Sequence, residues 1–263
     1  MATPAAIRQH YDSLSFVYRA FWGDHIHHGL FVDGDTPVRA QLRLIEHCVG
    51  LLRRVGGSVL DVGCGYGATA IHLARQYGCR VLGITISEKQ AQIARELAAS
   101  SGVGEQITIV VENAETVAYP TAQFDLVWTM ESSEHFADKS GYFQNTSRSL
   151  RPGGELLLSA WTGNTASKRV CEVARRFLCP KLWTCQQYED AITSAGLRLQ
   201  TSEDLTRNVA RTWKICGERA KAASVAVKLL PARAREFVEG IDIILEAYSS
   251  GELAYTVIAA EKP

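Results

Sequence analysis

Charge imbalance is the first thing this sequence lacks: Lys plus Arg and Asp plus Glu each number 28 in 263 residues. No field of one sign draws the chain to nucleic acid, and no long basic run supplies a local one. No apolar run approaches bilayer-spanning length, and Met1 to Arg8 lacks the apolar stretch of a signal peptide. A membrane span and export are therefore not expected, and a cytoplasmic protein is. Cys-x-x-Cys pairs are missing too. The seven cysteines (Cys48, Cys64, Cys79, Cys171, Cys179, Cys185, Cys216) are scattered and odd in number, which suits reduced thiols. Internal repeats and low-complexity linkers are absent. What remains is the composition of a soluble enzyme, long enough for one large domain or one domain with an inserted cap.

What is present is concentrated in nine residues, Val59-Leu60-Asp61-Val62-Gly63-Cys64-Gly65-Tyr66-Gly67. An apolar run from Ser58 to Val62 ends in alternate glycines, and a helical pattern follows from Ala68 to Tyr77. Strand, glycine turn, helix lets a ligand lie on bare backbone beside a helix N-terminus. Asp61 discriminates between ligands, because a carboxylate at the strand's end repels a pyrophosphate and suits an ammonium group. Gly63-x-Gly65-x-x-Ala68 also satisfies the looser dinucleotide fingerprint, whose acidic ribose ligand should follow about 20 residues on. The second strand, Val81 to Ile86, carries Thr85 there, with Ser87 and Gln90 behind it. Hydroxyl and amide groups still bond a ribose diol, but this is not the usual nicotinamide signature.

Strand and helix patterns then alternate, which predicts an α/β chain with a mainly parallel sheet and helices on both faces. Strands are expected at 58–62, 80–86, 107–111, 124–130 and 153–160, and helices at 5–22, 36–54, 68–77, 87–100 and 139–150. Ser87 is a plausible N-cap, and Gly102 follows the end of that helix. Beyond Trp161 the pattern changes: helices at 169–178, 185–195 and 208–230, broken by Pro180 and Pro231, with strands at 197–200 and 253–260. The helices before the final strand read as a lid. In open parallel sheets ligands sit beyond the carboxyl ends of the strands, where Asp61, Thr85, Asn113 and Met130-Glu131 all fall.

At these residues the sequence resembles a known family. Asp61-x-Gly63-Cys64-Gly65-x-Gly67 is similar to the first motif of class I S-adenosylmethionine (SAM)-dependent methyltransferases. Gly83-Ile84-Thr85-Ile86-Ser87-x-x-Gln90 resembles the second motif of the tocopherol C-methyltransferase-like group and of cyclopropane fatty acid synthases. Phe124 through His135 resembles the first group's fourth-strand motif, and Leu150-Arg151-Pro152-Gly153-Gly154 the turn before the fifth strand. His10-Tyr11-Asp12, Trp22-Gly23-Asp24-His25-x-His27-His28-Gly29 and the final strand are similar to the same group. The likeness runs from about Tyr11 to the end and is weakest between Gly163 and Val238.

That resemblance implies a Rossmann-like, seven-stranded, mostly parallel sheet with its last strand antiparallel, an N-terminal helical segment and an inserted helical lid. The expected layout is one methyltransferase domain: a helical segment at 1–55, a SAM-binding core at 56–162, a substrate lid with strand six at 163–250, and the last strand at 251–263. It also implies SAM as cofactor and S-adenosylhomocysteine (SAH) as product. Carried over residue by residue, Asp61, Gly63, Cys64 and Gly65 belong to the methionine end. Thr85 and Gln90 hold the ribose, Ile86 packs on adenine, and Asn113, Ala114 and Glu115 border its amino edge; Asn113 stands where the group usually has Asp. Tyr11, His27 and His28 close over the methionine end, with Met130 and Glu131 along the sulfonium.

Glu131, Glu134 and His135 follow strand four and face the expected acceptor. If 132–137 begins a helix, Glu131 and His135 share one face. His135 is the expected base or orienting group, with Glu134 second; the alternative, that they only fix the loop, stays open. Trp183, Trp213 and Phe237 are candidates for a hydrophobic substrate pocket, against the plainer reading that each is core. A metal reading of His25, His27 and His28 is set aside, because no cysteine or patterned carboxylate accompanies them. The expected reaction is methyl transfer to a hydrophobic or aromatic small molecule of secondary metabolism, such as a phenol, indole or prenyl-like metabolite, with carbon slightly favoured. N- or O-methylation, a nicotinamide (NAD) oxidoreductase, a non-catalytic SAM-binding protein and a homodimer remain alternatives.

Overall fold

A computed structural model describes residues 2–228, 230 and 232–263, apart from the side chains of Phe21, Ala226 and Arg233. Two helices open the chain for a shared local reason. In α1 (Pro4–Trp22) and α2 (Pro37–Gly50) a threonine, Thr3 or Thr36, accepts from an amide of the first turn and a proline follows at N1. The chain then alternates through β1 (Ser58–Val62), α3 (Ala68–Tyr77), β2 (Arg80–Thr85), α4 (Glu88–Ser100), β3 (Ile107–Val111), β4 (Phe124–Met130), α5 (Lys139–Ser149) and β5 (Leu150–Gly163). Next come α6 (Lys168–Arg176), α7 (Cys185–Ser194), β6 (Arg198–Asp204), α8 (Thr206–Val209), α9 (Arg211–Ala222), α10 (Ser224–Lys228), α11 (Ala232–Ser249) and β7 (Leu253–Glu261).

The sheet has seven strands in the order β3-β2-β1-β4-β5-β7-β6. β7 runs antiparallel to both neighbours and the other pairings are parallel, which is the Rossmann-like arrangement the resemblance implied. The strand order reverses between β1 and β4, so a crevice opens at their carboxyl ends. Alternation along the strands feeds two cores. Val59, Leu126 and Leu157 pack with α1, α2, α6, α9 and α11 on one face. Leu60, Val127, Leu156 and Leu158 pack with Tyr142 and Tyr188 of α5 and α7 on the other. Among the described residues no helix is long and apolar enough to cross a membrane.

Four details differ from expectation. Helix α2 ends at Gly50, short of residue 54. The turn expected at 150–154 lies within β5, where Gly153 takes φ 75° and its amide bonds the Lys262 carbonyl at 2.8 Å. Left-handed glycine lets the strand bulge there and still pair. The single helix expected at 208–230 is three pieces, α8 to α10, and the break expected at Pro231 lies outside the described residues. Helix α11 was not anticipated, although Phe237, Ile241, Ile244 and Tyr248 recur at helical spacing.

Candidate active site

After β1 the backbone passes through Gly63, Gly65 and Gly67 at φ 77°, 54° and 73°, a region where a Cβ is strained. A Cβ on Gly63 would also stand 2.3 Å from that of Ser132, so the turns after β1 and β4 meet through bare backbone. Ser132 Oγ completes the join by donating to the Val62 carbonyl at 2.7 Å. Beside this turn Asp61 is buried, and its Oδ2 has no partner among the described residues. Burial pushes its pKa up to about 7. An orphaned buried carboxylate oxygen next to a glycine turn fits the ammonium group of an amino-acid moiety, as SAM would present.

The neighbouring strand tips furnish the rest of the crevice. Thr85 Oγ1 donates to Gln90 Oε1 at 2.7 Å and accepts from the Ser87 amide, which sets the orientation of the Gln90 amide. Ser87 in turn caps α4 and donates to Asp12, while Arg8 Nε donates to the Ile86 carbonyl at 3.0 Å. These bonds draw α1 across the opening. Asn113 Oδ1 accepts from the Glu115 amide, and Glu115 is held by the Asp138 amide. Tyr11, His27, Asp61, Gly63, Cys64, Gly65, Thr85, Ile86, Gln90, Asn113, Ala114, Glu115, Met130 and Glu131 all line this one cavity of about 970 Å³, its open mouth included. His27 Nδ1 donates to the His28 carbonyl, so its Nε2 accepts from His25 Nδ1. Burial keeps both rings neutral, His25 down to about 3.

His28 lies elsewhere. It lines a second cavity behind the first and touches Glu131 instead of covering the crevice. Glu131 has φ 51°, sparsely populated for a residue with a side chain, and this kink turns its carboxylate inward. Oε1 accepts from the His28 amide (2.8 Å) and the Tyr255 hydroxyl (2.7 Å), and Oε2 accepts from His28 Nδ1 (2.8 Å). Indole N–H can only donate, and Trp213 Nε1 donates to His28 Nε2 at 2.7 Å. With Nδ1 donating to Glu131 and Nε2 accepting from Trp213, the His28 ring is fixed as a donor to the carboxylate. Burial alone would raise the Glu131 pKa; the electrostatic attraction of His28 and the hydrogen bonds it donates outweigh burial and hold the carboxyl below its ordinary value.

Glu134 is the opposite case. Its Oε1 accepts from the Trp161 amide at 2.7 Å and its Oε2 has no partner among the described residues. Burial, reinforced by the nearby Glu131, pushes its pKa up to about 8. At neutral pH one carboxyl is ionised and its neighbour protonated. His135 donates from Nδ1 to the Leu178 carbonyl at 3.1 Å and accepts at Nε2 from the Tyr11 hydroxyl at 2.8 Å. Burial lowers its pKa to about 4, so its lone pair is both weakly basic and already engaged. The helix conjectured at 132–137 is a single 3-10 turn, Ser133–His135, and Glu131 and His135 do not share a helical face.

The second cavity, about 490 Å³, is walled by Tyr18, Trp22, Trp161, Phe177, Trp213 and Phe237, with Tyr11, Ile26, Glu131 and His135 shared with the crevice as a threshold. Its rings meet edge to face or tilted, Trp22 and Trp213 at 5.2 Å and Tyr18 and Phe237 at 5.0 Å between centroids. Trp213 and Phe237 were singled out from the sequence; Trp183 is not here. Trp183 packs against Tyr188 at 5.4 Å on the opposite face of the sheet, with Lys139 over its ring, because the segment before α7 crosses to that side. Missed residues include Tyr18, Trp22, Trp161 and Tyr255. Tyr11, Tyr18 and Trp22 recur at helical spacing on α1, and Trp161 lies at a strand tip, so both signals were present.

Four likenesses bear on this arrangement. The mycolic acid cyclopropane synthetase family profile matches residues 2–239. The chain is similar to 27-O-demethylrifamycin SV methyltransferase of Amycolatopsis mediterranei (strain S699), 30% identical over 270 residues covering 99% of this chain and 98% of that one. It is also similar to the probable chloroplastic tocopherol O-methyltransferase of Oryza sativa subsp. japonica, 29% identical over 281 residues covering 96% and 76%. Among solved structures it superposes on the mycolic acid cyclopropane synthase CmaA1 complexed with SAH and CTAB. The TM-score is 0.88 over 98% of each chain, and at 22% identity this is a likeness of fold.

Proposed function

The chain belongs to the mycolic acid cyclopropane synthetase family, and from that premise we propose that it methylates an uncharged hydrophobic or aromatic small molecule seated in the inner chamber. It is a SAM-dependent methyltransferase. Bound SAM supplies a methyl group already activated on a sulfonium. The residues with a role toward it are Asp61 for the ammonium, the Gly63–Gly65 backbone for the amino-acid moiety, and Gln90, Ile86 and Asn113 for the nucleoside.

The chain's own contribution is alignment and electrostatics. Holding donor and acceptor in line supplies on the order of 7–11 kcal/mol. Positive charge develops on a neutral acceptor as it is methylated, and the observation that carries the proposal is Glu131, its carboxyl held below the ordinary value and fixed by hydrogen bonds at the threshold between crevice and chamber. A fixed carboxylate there favours that charge without reorganising. The aromatic walls act in the same sense. The tocopherol and the demethylrifamycin named for the two relatives differ from each other, so the chamber's lining supports the substrate class.

Carbon is the acceptor atom this site favours. A phenol, with a pKa near 10, would need a competent base for O-methylation. His135 is weakly basic and its lone pair is taken by Tyr11. A methylated arene carbon gives a strongly acidic cation that a weak base relieves. N-methylation is the second reading, since Glu131 and the aromatic rings also favour an ammonium product. The test is incubation with methyl-labelled SAM and pooled phenols, indoles, prenyl alcohols and amines, followed by mass spectrometry. Label on a ring or prenyl carbon supports the proposal, label on nitrogen supports the second reading, and SAM bound but unconsumed overturns both.

A further inference from the structure

The chamber is aromatic, yet two buried polar atoms of residues that line it have no partner among the described residues. Glu134 is 2% exposed and Trp161 9%, both line the chamber, and Glu134 Oε2 and Trp161 Nε1 are each unbonded. They belong to one local unit, because Glu134 Oε1 accepts from the Trp161 backbone amide. Unpaired buried polar groups are rare and costly, so two in one cavity point to a ligand atom that completes them. Indole N–H only donates, which requires an acceptor on the ligand. A carboxyl kept protonated by burial, as Glu134 is up to about 8, donates as well.

We infer that Glu134 and Trp161 form a seat for one oxygen atom of the acceptor, so that the substrate carries a hydroxyl or carbonyl group inside the chamber and is not anionic there. This rests on the chamber being the acceptor site. The exclusion of anions follows from charge. The Glu131 carboxyl is held below its ordinary value, and among the described residues the chamber lining contains no lysine or arginine. Lys139, the buried cation nearby, spends its ammonium on the Phe136 and Lys181 carbonyls at 2.6 and 3.0 Å. A phosphorylated or carboxylated group placed here would be buried against Glu131 with nothing to cancel it.

Naphthol, methylnaphthalene and naphthoate share a shape and differ at one group, so they test the seat directly. Their binding to the SAH-loaded protein is read by tryptophan fluorescence. Naphthol is expected to bind about tenfold more tightly than methylnaphthalene, the worth of one or two buried hydrogen bonds, and naphthoate at least as much more weakly than naphthol. Trp161→Phe should cut the naphthol advantage over methylnaphthalene, both measured on the same variant, by roughly threefold or more. Glu134→Gln, which keeps a donor at that position, should preserve it. Equal binding of naphthol and methylnaphthalene, an advantage unmoved by Trp161→Phe or lost in Glu134→Gln, or tight naphthoate binding would each overturn the seat while leaving the chamber standing. No binding of any of the three, with SAH still bound, would overturn the chamber reading as well.

Discussion

Around the crevice, ligand-facing groups come from turns that each follow one strand: the glycines and Asp61 at β1, Thr85 and Gln90 at β2, Asn113 at β3, Met130 at β4. Around the chamber, the walls are whole side chains from remote elements: Tyr18 and Trp22 on α1, Trp161 on β5, Phe177 after α6, Trp213 on α9, Phe237 on α11. The crevice works through backbone conformation, which a short motif dictates. The chamber works through volume and ring faces, which only the tertiary fold assembles. Between them lies Glu131, contributed by a strand tip but held by His28 and Tyr255 from the chamber side. The two halves can therefore be perturbed separately, and the threshold should respond to changes in either.

Glu131→Gln should have the largest effect. Loss of the fixed charge is expected to lower turnover about 10²- to 10³-fold on whichever acceptor the pooled assay returns, a typical magnitude for removing preorganised electrostatic stabilisation. SAH affinity, measured by calorimetry, should change less than about threefold, because the ammonium is assigned in the proposal to Asp61 and not to Glu131. Equal losses in both would assign Glu131 to the crevice and erase the division.

Asp61→Asn perturbs the crevice alone. Breaking a buried charge pair costs about 2 kcal/mol or more, so SAH affinity should fall at least some thirtyfold. The pH dependence fixes the sign. In the free protein burial holds Asp61 at about 7, so below that pH it must lose a proton before pairing with an ammonium. Affinity should rise with pH and level off above about 7, and Asp61→Asn should abolish the slope. A wild-type affinity that is flat from pH 5 to 8 would remove Asp61 from the ammonium site.

His135→Ala and Tyr11→Phe come next, at the threshold. Each breaks the Tyr11–His135–Leu178 chain. Turnover should fall by roughly tenfold in either, with SAH affinity nearly unchanged, and the double variant should cost little more than one single change, since both remove the same contact. Additive losses would mean that His135 acts on the acceptor independently of Tyr11.

The sequence exposed these regions unequally, for the same physical reason. Strand, turn and helix around Asp61 are decided within a dozen residues by periodicity and by glycine, and the ends of α4 by Ser87 and Gly102. Trp183 and Trp213 look alike in sequence; one lies on the α7 side of the sheet and the other in the chamber, a difference set by where remote helices pack. The states of His28 and Glu131 were out of reach, because they depend on an indole donor 185 positions away. Helix α11 was legible and overlooked: its apolar stripe is regular, but short helices were expected around it.

Glu134→Gln should have the smallest effect and the most telling one, because stability against pH separates the two regions in a single protein. Burial raises Glu134 from 4.5 to about 8, so the folded state holds its proton longer than the unfolded one. Such a group's stabilising contribution is full below about 4.5 and is lost as pH rises through about 8. Asp61 acts in the same direction up to about 7. Saturating SAH pairs Asp61 with an ammonium and removes the crevice's share, so the decline that persists belongs to the chamber. In the SAH-saturated protein, Tm should still fall as pH rises from 5 to 8. Glu134→Gln has no proton to lose and should flatten that remainder, while leaving the SAH-sensitive part in place. A remainder unchanged by Glu134→Gln would show that Glu134 is ionised at neutral pH, and two adjacent carboxylates would then have to share the threshold.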